Sequence, residues 1–367
     1  MAKILILANS SVGAYNFRNK LLERLLKMHE VFISVPDTNK TAELEVEGCE
    51  VVNTPINRRG MNPIEDFQLF WAYSKLIKRI KPDLVLTYTI KPNIYGGLCC
   101  RLKKIPYVTT ITGLGTSFQK QGFLKQMIIR MHRVSLKKAK CVFFQNEQNR
   151  QIFAEYRIGG KKSILVNGSG VELNWHTFEE YPSGGHTRFL FIGRIMKEKG
   201  IEEFLKAAEA LHTKYGEKVS FEILGRYDED YHYQERLTDY EKRGIVSLSG
   251  FQTDVHPYIK AASAIVLPTY HEGMSNVLME ASASGRPVVA SDISGCREIF
   301  EEGVTGFGCK PQDAESLITA MEKLMALKPE ERAVMGRRAR EKMEREFDRK
   351  LVTDVYIREI EGILQSR

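Results

Sequence analysis

Two acidic residues, Glu272 and Glu280, stand eight positions apart in the stretch His271-Glu272-Gly273-Met274-Ser275-Asn276-Val277-Leu278-Met279-Glu280. A helix that begins near Ser275 would place Glu280 about one and a half turns inside it and leave Glu272 in the preceding loop. The backbone amides of residues 274–277 would then face a bound anion, because a helix start presents N–H groups and a positive dipole end. The two carboxylates would accept hydrogen bonds from hydroxyls. This combination suits a sugar nucleotide, which carries a diphosphate, a ribose and a hexose.

Two cations follow an earlier predicted strand, in the sequence Gly193-Arg194-Ile195-Met196-Lys197-Glu198-Lys199-Gly200. Arg194 can bind a phosphate with two parallel hydrogen bonds, whereas Lys199 acts as a point charge. The pair is therefore predicted to hold a diphosphate from two sides. The alternative is a turn after a strand that carries solvated charges.

Three weaker features lie at other strand ends. The loop Asn9–Asn16 is rich in small residues and leads into a helix, so that Gly13 would let the backbone approach an anion. Gly225 and Phe251 could border a nucleotide base. The chain has neither GxGxxG nor GxxxxGK[ST], and so it lacks the fingerprints of dinucleotide-binding and P-loop proteins.

Short apolar runs alternate with helical patterns through the whole chain, which predicts parallel βαβ units. The predicted strands are Lys3–Leu7, Val31–Val35, Asp83–Tyr88, Tyr107–Ile111, Cys141–Phe144, Thr187–Ile192, Ser220–Leu224, Ala264–Pro268 and Val288–Ala290, and the clearest helices are Asn16–Met28 and Ile201–His212. We expect two doubly wound α/β domains, residues 1–172 and 173–367, with a linker in the polar stretch Val171–Gly185. A long charged helix from Pro329 to about Gln365 is expected to pack back on the first domain with its last part, residues 345–367.

Charge is distributed unevenly between the two halves. The net charge is +8, with +15 over residues 1–170 and −7 over residues 171–367, and residues 51–150 alone carry +14. This asymmetry points to an anionic partner for the first half: nucleic acid, acidic lipid headgroups or a phosphorylated substrate. The alternative is a basic surface that only improves solubility.

The stretch 122–138 has the pattern of a basic amphipathic helix. Its apolar face is predicted to hold Leu124, Met127, Ile128, Met131 and Val134, with Arg130, Arg133 and Lys137 roughly opposite. Such a helix can lie in a membrane interface. The alternative, which the geometry favours, is a helix that buries its apolar stripe in the domain core and leaves a solvated basic face.

Composition limits the class of protein. The chain has 367 residues, of which 43% are hydrophobic and 27% charged, so it is globular and long enough for two domains. No apolar run approaches the ~18 residues of a membrane span, and the apolar run at the start is too short for a signal peptide. The six cysteines show no metal-binding spacing, which favours reduced thiols in a cytoplasmic protein.

The spacings Gly-Arg-x4-Lys-Gly and Glu-x7-Glu, with the stretch Ser284–Asp292, resemble the retaining glycosyltransferases of family 4 type. The resemblance implies a GT-B fold, in which two Rossmann-like domains face a cleft. It also implies that the second domain binds a nucleoside-diphosphate sugar and that the first binds the acceptor. Arg194 and Lys199 would hold the diphosphate, Glu280 the ribose and Glu272 the hexose. The amides of Asn276 and Val277, together with Gly13, would line the phosphates, and no metal or other cofactor is expected.

One departure from the family concerns the general base. Many relatives carry a histidine after the strand that corresponds to Tyr107–Ile111, whereas this chain continues Thr112-Gly113-Leu114-Gly115. We therefore assign no general base, and the resemblance makes a donor phosphate oxygen the proton acceptor. Thr112 and Gly113 would line the acceptor side.

The Thr-Gly-Leu-Gly loop and the segment Lys91–Gly96 resemble the subset that extends bacterial capsule, O-antigen or lipid-linked oligosaccharide chains. That resemblance implies transfer of a hexose or N-acetylhexosamine from a UDP-sugar to a saccharide on undecaprenyl diphosphate, by a peripheral enzyme on the inner face of the plasma membrane. The candidates for the acceptor diphosphate are Arg18, Arg58, Arg59 and Lys91.

Two alternatives belong to other classes. A UDP-sugar 2-epimerase on the same fold would need no acceptor, and the Glu-x7-Glu pattern argues against it. A basic nucleic-acid-binding protein would fit the charge, but the chain has no helix-turn-helix or RNP-like motif.

Overall fold

The computed structural model describes residues 1–57, 62–114, 122–228 and 232–366. The chain divides into two compact units. Unit 1 is Met1–Ser169 together with Arg349–Arg367, and unit 2 is Gly170–Asp348. The chain therefore leaves unit 1, completes unit 2 and returns to unit 1. No helix in the described ranges is both long enough and apolar enough to cross a bilayer.

Unit 1 contains, among its described residues, a parallel sheet of seven strands in the order β3-β2-β1-β4-β5-β6-β7. The strands are β1 (Lys3–Leu7), β2 (Glu30–Val35), β3 (Glu50–Asn53), β4 (Leu84–Tyr88), β5 (Tyr107–Ile111), β6 (Cys141–Phe144) and β7 (Ser163–Leu165). The central strands β4 and β5 are buried at every position, as expected where helices cover both faces of a sheet. The sequence did not predict β3 and β7, because these short edge strands are only partly buried and contain only two apolar residues each.

Helices cover both faces of this sheet. They are α1 (Ser11–Leu26), α2 (Thr41–Val46), α3 (Pro63–Ile80), α4 (Gly97–Lys103), α5 (Phe123–Leu136), α6 (Glu147–Glu155) and α13 (Arg349–Gln365), with a π-helical turn at Pro92–Gly96. One core lies under α1 and α13, and the other under α3, α4 and α5. The expectation that the last helix packs on the first unit is confirmed: the ring of Tyr356 stacks on Phe143 with 4.0 Å between centroids, and its hydroxyl lies 3.0 Å from Oγ1 of Thr110.

Two predicted helix boundaries are wrong. Helix α1 begins at Ser11 rather than Asn16, because the hydroxyl of Ser10 accepts a hydrogen bond from the Gly13 amide and caps the helix there. The long helix expected from Pro329 to Gln365 is broken into α12 (Pro329–Lys342), a π-helical turn (Met343–Phe347) and α13. Asp348 follows the π-helical turn and forms a parallel β-bridge with Val171. The chain passes from unit 2 back to unit 1 after this residue.

The predicted apolar face of α5 is confirmed at Ile128 and wrong at Leu124 and Val134. The residues of α5 that are buried are Ile128, Ile129, His132, Ser135 and Leu136, whereas Leu124 and Val134 are exposed. The pattern misled because two polar residues lie on the buried face. The Ser135 carbonyl accepts a hydrogen bond from the Tyr107 hydroxyl, and Nδ1 of His132 lies 3.0 Å from the Ile128 carbonyl.

Unit 2 repeats the architecture with six described parallel strands in the order β10-β9-β8-β11-β12-β13. They are β8 (Thr187–Ile192), β9 (Val219–Leu224), β10 (Ser247–Gly250), β11 (Ala264–Leu267), β12 (Val288–Ser291) and β13 (Gly306–Cys309), and the helices are α7 (Ile201–Tyr215), α8 (Gln234–Lys242), α9 (His256–Ala261), α10 (Asn276–Ala283), α11 (Ala314–Ala326) and α12. The polar stretch 171–185 forms neither helix nor strand apart from the Val171 bridge. It is tied to unit 2 by the fully buried Arg286, which donates to the carbonyls of Glu179 and Glu180.

Candidate active site

The candidate site lies at the carboxyl edge of the unit 2 sheet, where the loops after β8 and β11 begin side by side. Strand β8 pairs with β9 on one side and with β11 on the other, so the order of the strands reverses at this point. In doubly wound folds, ligands bind at such a reversal because the loops on its two sides diverge and leave a crevice. The loop after β8 carries Arg194 and Lys199, and the loop after β11 carries Glu272.

The loop after β8 is held against the end of β11. A 3₁₀ turn, Lys197–Lys199, ends at Gly200, whose φ is +76° and whose Cα lies so close to Pro268 that a Cβ would be 2.0 Å from the Pro268 carbonyl oxygen. The carbonyl of Glu198 accepts hydrogen bonds from the amide of Tyr270 at 2.9 Å and from the hydroxyl of Thr269 at 3.0 Å. These contacts fix the position of Lys199 relative to the loop that follows β11.

Lys199 and Glu272 form an ion pair in this position. Their side chains are 21% and 14% exposed, so the pair is largely shielded from water. Behind it, Gly295 has φ +91°, and a Cβ there would lie 2.8 Å from the Glu272 carbonyl oxygen. An ammonium group has three donors, so Lys199 can hold the carboxylate and a phosphate oxygen at the same time. The sequence predicted both residues but not their pairing.

Arg194 has a partner that the sequence analysis missed. Its Nη1 donates to Oδ2 of Asp228 at 3.0 Å, and the Asp228 side chain is almost fully buried whereas that of Arg194 is half exposed. The loop after β9 brings Asp228 here because the Ile195 amide donates to the Arg226 carbonyl at 2.9 Å. One signal in the sequence could have revealed this partner: an acidic residue four positions after the end of the predicted strand that corresponds to β9. That strand is the neighbour of β8, whose loop carries Arg194.

Helix α10 begins as predicted, one residue after Ser275. The Ser275 hydroxyl accepts from the Leu278 amide at 3.4 Å, and the Ser275 amide donates to the Gly295 carbonyl at 2.9 Å. The amide of Ser275 is therefore engaged within the protein rather than directed to an anion, and the side chain of Met274 is buried in the core of unit 2. The amide of Val277 has no acceptor within the helix, because α10 starts only one residue earlier.

The other predicted donor residues lie in the loop after β11 and in helix α10. Glu280 lies half-buried in the second turn of α10, and Gly273 and Asn276 flank the helix start. His271 precedes Glu272, and burial lowers the pKa of its imidazole, so the ring is neutral at pH 7.

Gly225 and Phe251 follow β9 and β10. A Cβ at Gly225 would lie 1.8 Å from the Gly193 carbonyl oxygen, so only glycine allows the two loops to approach. The ring of Phe251 is 56% exposed, and the Arg226 guanidinium lies 4.1 Å from its centroid. The sequence predicted that these residues border a base, and the structure gives Phe251 an exposed ring with a cation stacked on it.

The predicted residues of unit 1 lie at the carboxyl edge of its own sheet. Gly13 is in the first turn of α1, and Thr112 and Gly113 follow β5. The guanidinium of Arg18 lies 4.7 Å from the centroid of the Tyr88 ring. Arg58 and Arg59 lie outside the described residues.

Lys91, a candidate for the acceptor diphosphate, has an acidic partner within unit 1. Its Nζ lies 2.7 Å from Oδ1 of Asp66, and the two side chains are 14% and 10% exposed. The charge of Lys91 is therefore largely neutralised within unit 1.

Comparison with known proteins identifies the family of each half. Residues 176–342 match the family described as "Glycosyl transferases group 1", and residues 3–146 match "Glycosyl transferase 4-like". These matches include the Gly-Arg-x4-Lys-Gly and Glu-x7-Glu loops of unit 2 and most of the unit 1 sheet.

Two named relatives align over most of the chain. One is the N,N'-diacetylbacillosaminyl-diphospho-undecaprenol alpha-1,3-N-acetylgalactosaminyltransferase of Campylobacter jejuni, which is 26% identical over 86% of this chain and 87% of its own length. The other is the UDP-Gal:alpha-D-GlcNAc-diphosphoundecaprenol alpha-1,3-galactosyltransferase of Escherichia coli, which is 26% identical over 72% of this chain and 71% of its own length.

Among solved structures, Anabaena Alr3699/HepE in complex with UDP-glucose superposes with a TM-score of 0.81 at 17% identity, over 99% of this chain and all of its own. At this identity the similarity establishes the fold, and the fold is GT-B. With one family matched in each half of the chain and loops of the matching spacing at the carboxyl edge of unit 2, the protein belongs to the group 1 and 4-like glycosyltransferases.

Proposed function

We propose that this glycosyltransferase transfers a hexose or N-acetylhexosamine from a UDP-sugar to a saccharide on undecaprenyl diphosphate, with retention of the anomeric configuration, in the assembly of a bacterial surface glycan. The observation that carries the proposal is the Lys199–Glu272 pair beside Arg194 at the carboxyl edge of unit 2. It joins cations suited to a diphosphate with a carboxylate suited to sugar hydroxyls.

Each part of the donor has a matching group in unit 2. Arg194, Lys199 and the Val277 amide would hold the diphosphate, and Glu280 would accept hydrogen bonds from the ribose hydroxyls. The base would stack on the exposed ring of Phe251 and so remove the apolar face of that ring from water. Glu272 would accept hydrogen bonds from the hexose while Lys199 keeps its carboxylate oriented.

Gly13 supports a close approach of ligand to unit 1. A Cβ at this position would meet only the Ser10 Cβ, at an ordinary contact distance of 3.6 Å, so packing within unit 1 does not require a glycine. Glycine inside a helix costs about 0.5–1 kcal/mol relative to alanine. Packing therefore does not explain why a glycine stands in the first turn of α1. A phosphate that lies directly against the backbone at this position would explain it.

The transfer step breaks the bond between the anomeric carbon and the leaving phosphate oxygen and forms a bond from the acceptor oxygen to the same carbon. The acceptor proton passes to an oxygen of the departing diphosphate, and so no side chain need act as base. Negative charge grows on the diphosphate as the bond breaks, so Arg194 and Lys199 stabilise the transition state more than the ground state. These two cations supply the neutralisation for which other enzymes use a metal ion.

The acceptor assignment rests on the relatives and on charge. The names of the C. jejuni and E. coli enzymes both state a diphospho-undecaprenol acceptor. The net charge of +14 over residues 51–150 suits an anionic bilayer, at about 1 kcal/mol per Lys or Arg near the surface. This chain would therefore meet its acceptor at the inner face of the plasma membrane.

An exposed stripe on α3 is the surface of unit 1 best suited to that contact. Ile64, Phe67 and Trp71 are 70%, 60% and 50% exposed, and their spacing of three and four residues places them on one face. The aromatic pair touches edge to face with 6.4 Å between centroids. Farther along the helix the exposed residues are Lys75, Lys78 and Arg79.

The neighbouring helices continue this basic and apolar surface. Helices α3, α4 and α5 together carry eight Lys or Arg and two acidic residues within their described ranges. Leu102 on α4 and Phe123 on α5 are also exposed. Large apolar side chains among cations are typical of a surface that lies on anionic lipid, because the apolar groups enter the acyl boundary while the cations meet headgroups.

The test is turnover of a panel of UDP- and GDP-sugars by the full chain, with and without an undecaprenyl-diphosphate-linked saccharide. We expect release of UDP from one sugar only, dependent on the lipid acceptor and unchanged by EDTA, and an α-anomeric product from an α-linked donor. Isomerisation of a UDP-sugar without acceptor would instead identify an epimerase. An inverted product would contradict retention alone.

A further inference from the structure

The connection between β12 and β13 carries a carboxylate that the proposed chemistry does not use. Glu298 lies half-buried in this connection, and both of its oxygens accept a hydrogen bond. Oε1 accepts from the hydroxyl of Ser294 and Oε2 from the amide of Gly295, each at 2.7 Å. Hydrogen bonds to a carboxylate are roughly twice as strong as those between neutral groups. Glu298 therefore holds the turn at residues 294–298 closed.

Gly295 is the point at which this turn meets the candidate site. Its φ of +91° lies in the left-handed region, and a Cβ at this position would be 2.8 Å from the carbonyl oxygen of Glu272 and 2.9 Å from the Glu272 Cβ. The carbonyl of Gly295 accepts the hydrogen bond from the Ser275 amide at 2.9 Å. One glycine thus contacts the residue that we propose to bind the hexose and also the residue that caps α10.

The rest of the turn is anchored independently of Glu298. Cys296 and Ile299 are fully buried in the core of unit 2. Gly295 has no side chain to bury, so its amide is held by the carboxylate of Glu298 rather than by packing. Loss of this carboxylate is therefore expected to leave unit 2 folded and to loosen the end of the turn that contacts Glu272.

We infer that Glu298 is a positioning residue for the transfer reaction: by holding Gly295, it keeps Glu272 and the start of α10 in the geometry that binds the hexose and the diphosphate. The inference rests on the proposed function for what Glu272 and α10 bind. It gives a role to a carboxylate that binds no ligand itself and acts through the backbone of its neighbour.

The charge of Glu298 allows positioning to be distinguished from an electrostatic effect. A carboxylate near a bound diphosphate repels it, so removal of that charge alone would strengthen the binding of UDP. Loss of positioning has the opposite effect, because Glu272 and the amides at the start of α10 no longer converge on the ligand. Glu298→Gln removes the charge and one of the two acceptors while it keeps the shape of the side chain.

The first measurement is hydrogen exchange of the Ser275 amide in the full chain, without any sugar nucleotide. In Glu298→Gln this amide should exchange about tenfold faster than in the wild type, because its acceptor Gly295 is held less firmly. The amide of Ile265, in the buried strand β11, reports opening of the whole unit and should keep its wild-type rate.

Glu302→Gln is the matched control. Glu302 lies in the same connection, and its Oε2 also accepts from a glycine amide, at 2.6 Å, but this glycine, Gly308, belongs to β13 and not to the turn against Glu272. The control should therefore leave exchange of the Ser275 amide and transfer unchanged. Ser294→Ala is a milder variant that removes one of the two donors to the carboxylate, and it should have a smaller effect in the same direction as Glu298→Gln.

The second measurement is kinetic and uses the UDP-sugar that the wild type turns over with its lipid-linked acceptor. Glu298→Gln should lower the single-turnover rate by about tenfold and should weaken the binding of UDP by about threefold, while acceptor KM stays the same. In a Glu272→Gln background the same substitution should lower the rate by only about threefold or less, because the group that it positions is already altered. A merely structural role would lower the rate equally in both backgrounds.

Three results would overturn the inference. They are a wild-type exchange rate of the Ser275 amide in Glu298→Gln, a wild-type rate of transfer by this variant, and equal losses of rate in the two backgrounds. Tighter binding of UDP by Glu298→Gln would also contradict it, since the residue would then act through its charge.

The outcome is separable from that of the proposed function. If the wild type turns over no UDP-sugar, the proposed function fails, and exchange of the Ser275 amide together with the Kd for UDP still decides the role of Glu298. If transfer is found and Glu298→Gln transfers at the wild-type rate, the inference fails alone.

Discussion

The guanidinium of Arg194 is anchored by Asp228, whose carboxylate is almost completely buried and accepts a hydrogen bond of 3.0 Å from Nη1. A half-exposed arginine has many rotamers, and the buried partner limits them, so the remaining N–H groups keep one direction. The residue that we propose to hold the diphosphate is thus positioned by a neighbour in the loop after the adjacent strand β9.

Asp228→Asn should therefore slow transfer by about tenfold, since a hydrogen bond to a charged group contributes about 1.5–3 kcal/mol and this one is partly solvated. Steady-state kinetics with the UDP-sugar donor measures the effect. The control is Asp239→Asn, which removes an exposed partner of Arg243 in the same unit and should change nothing. Equal rates for both variants would mean that Arg194 needs no anchor.

Lys199→Ala should reduce kcat by about 10²–10³ while weakening UDP-sugar binding much less, because the charge it faces grows in the transition state. Lys197→Ala is the matched control, since Lys197 lies in the same 3₁₀ turn and is exposed. Single-turnover rates and donor Kd separate the two effects. Equal losses in binding and rate would show that Lys199 contributes only uniform binding.

Gly13→Ala should leave unit 1 as stable as before, or more stable by about 0.5–1 kcal/mol, and should nevertheless lower transfer. Gly362→Ala is the control, because Gly362 lies in α13 with nothing within 4 Å of an added Cβ. Melting temperature and kcat are measured on both. Full activity of Gly13→Ala would remove Gly13 from the phosphate site.

Trp71→Ala should weaken binding to phosphatidylglycerol vesicles by about tenfold or more, since burial of a large apolar side chain contributes about 1.5–3 kcal/mol. The chain has two tryptophans, and Trp175 is exposed in unit 2, so Trp175→Ala is the matched control. Vesicle sedimentation at low and high salt gives both affinities. If Trp71→Ala sediments with vesicles as the wild type does, or if binding does not depend on lipid charge, the membrane contact lies elsewhere.

Burial lowers the pKa of His132 to about 4 from an ordinary value near 6.5. The unfolded chain binds a proton in this interval and the folded chain does not, so stability is full above about pH 6.5 and is lost as the pH falls toward 4. The loss should reach about 3 kcal/mol. Urea unfolding of a Trp175→Phe variant, in which Trp71 reports on unit 1, measures it.

His132→Gln should flatten this pH dependence, because glutamine does not titrate. His186→Gln alters an exposed imidazole of unit 2 and should leave the dependence unchanged. Parallel stability curves for wild type and His132→Gln would show that another group controls the acid limb.

The fold class was predictable because most strands of both sheets are buried on both faces and read as apolar runs. The loops with Arg194, Lys199 and Glu272 were predictable because parallel strands place such loops at one edge. The pairing of Lys199 with Glu272 was not, because it depends on the close approach of Gly200 to Pro268 between segments far apart in the chain.

Contacts between side chains of distant segments could not be predicted from the sequence for the same reason. Nothing near Lys91 in the sequence indicates that Asp66 will neutralise it. The buried face of α5 was misassigned because Ser135 and His132 look solvent-facing until their hydrogen bonds are seen. The periodicity of apolar residues predicts which apolar side chains are buried. It does not detect buried polar side chains whose hydrogen bonds are formed inside the protein.

Helix α13 has a consequence for the order in which the protein is made. Tyr356, Val352 and Ile360 of this helix complete the core of unit 1, yet the ribosome reaches them only after all of unit 2, Gly170–Asp348. At ~5–20 residues per second the delay is about 10–35 s. Throughout that time one apolar face of the nascent first sheet is covered only in part, by α1 and α2, while the second unit can already fold. The nascent chain is thus most prone to aggregation just before α13 emerges from the ribosome. A chaperone would be needed during this delay.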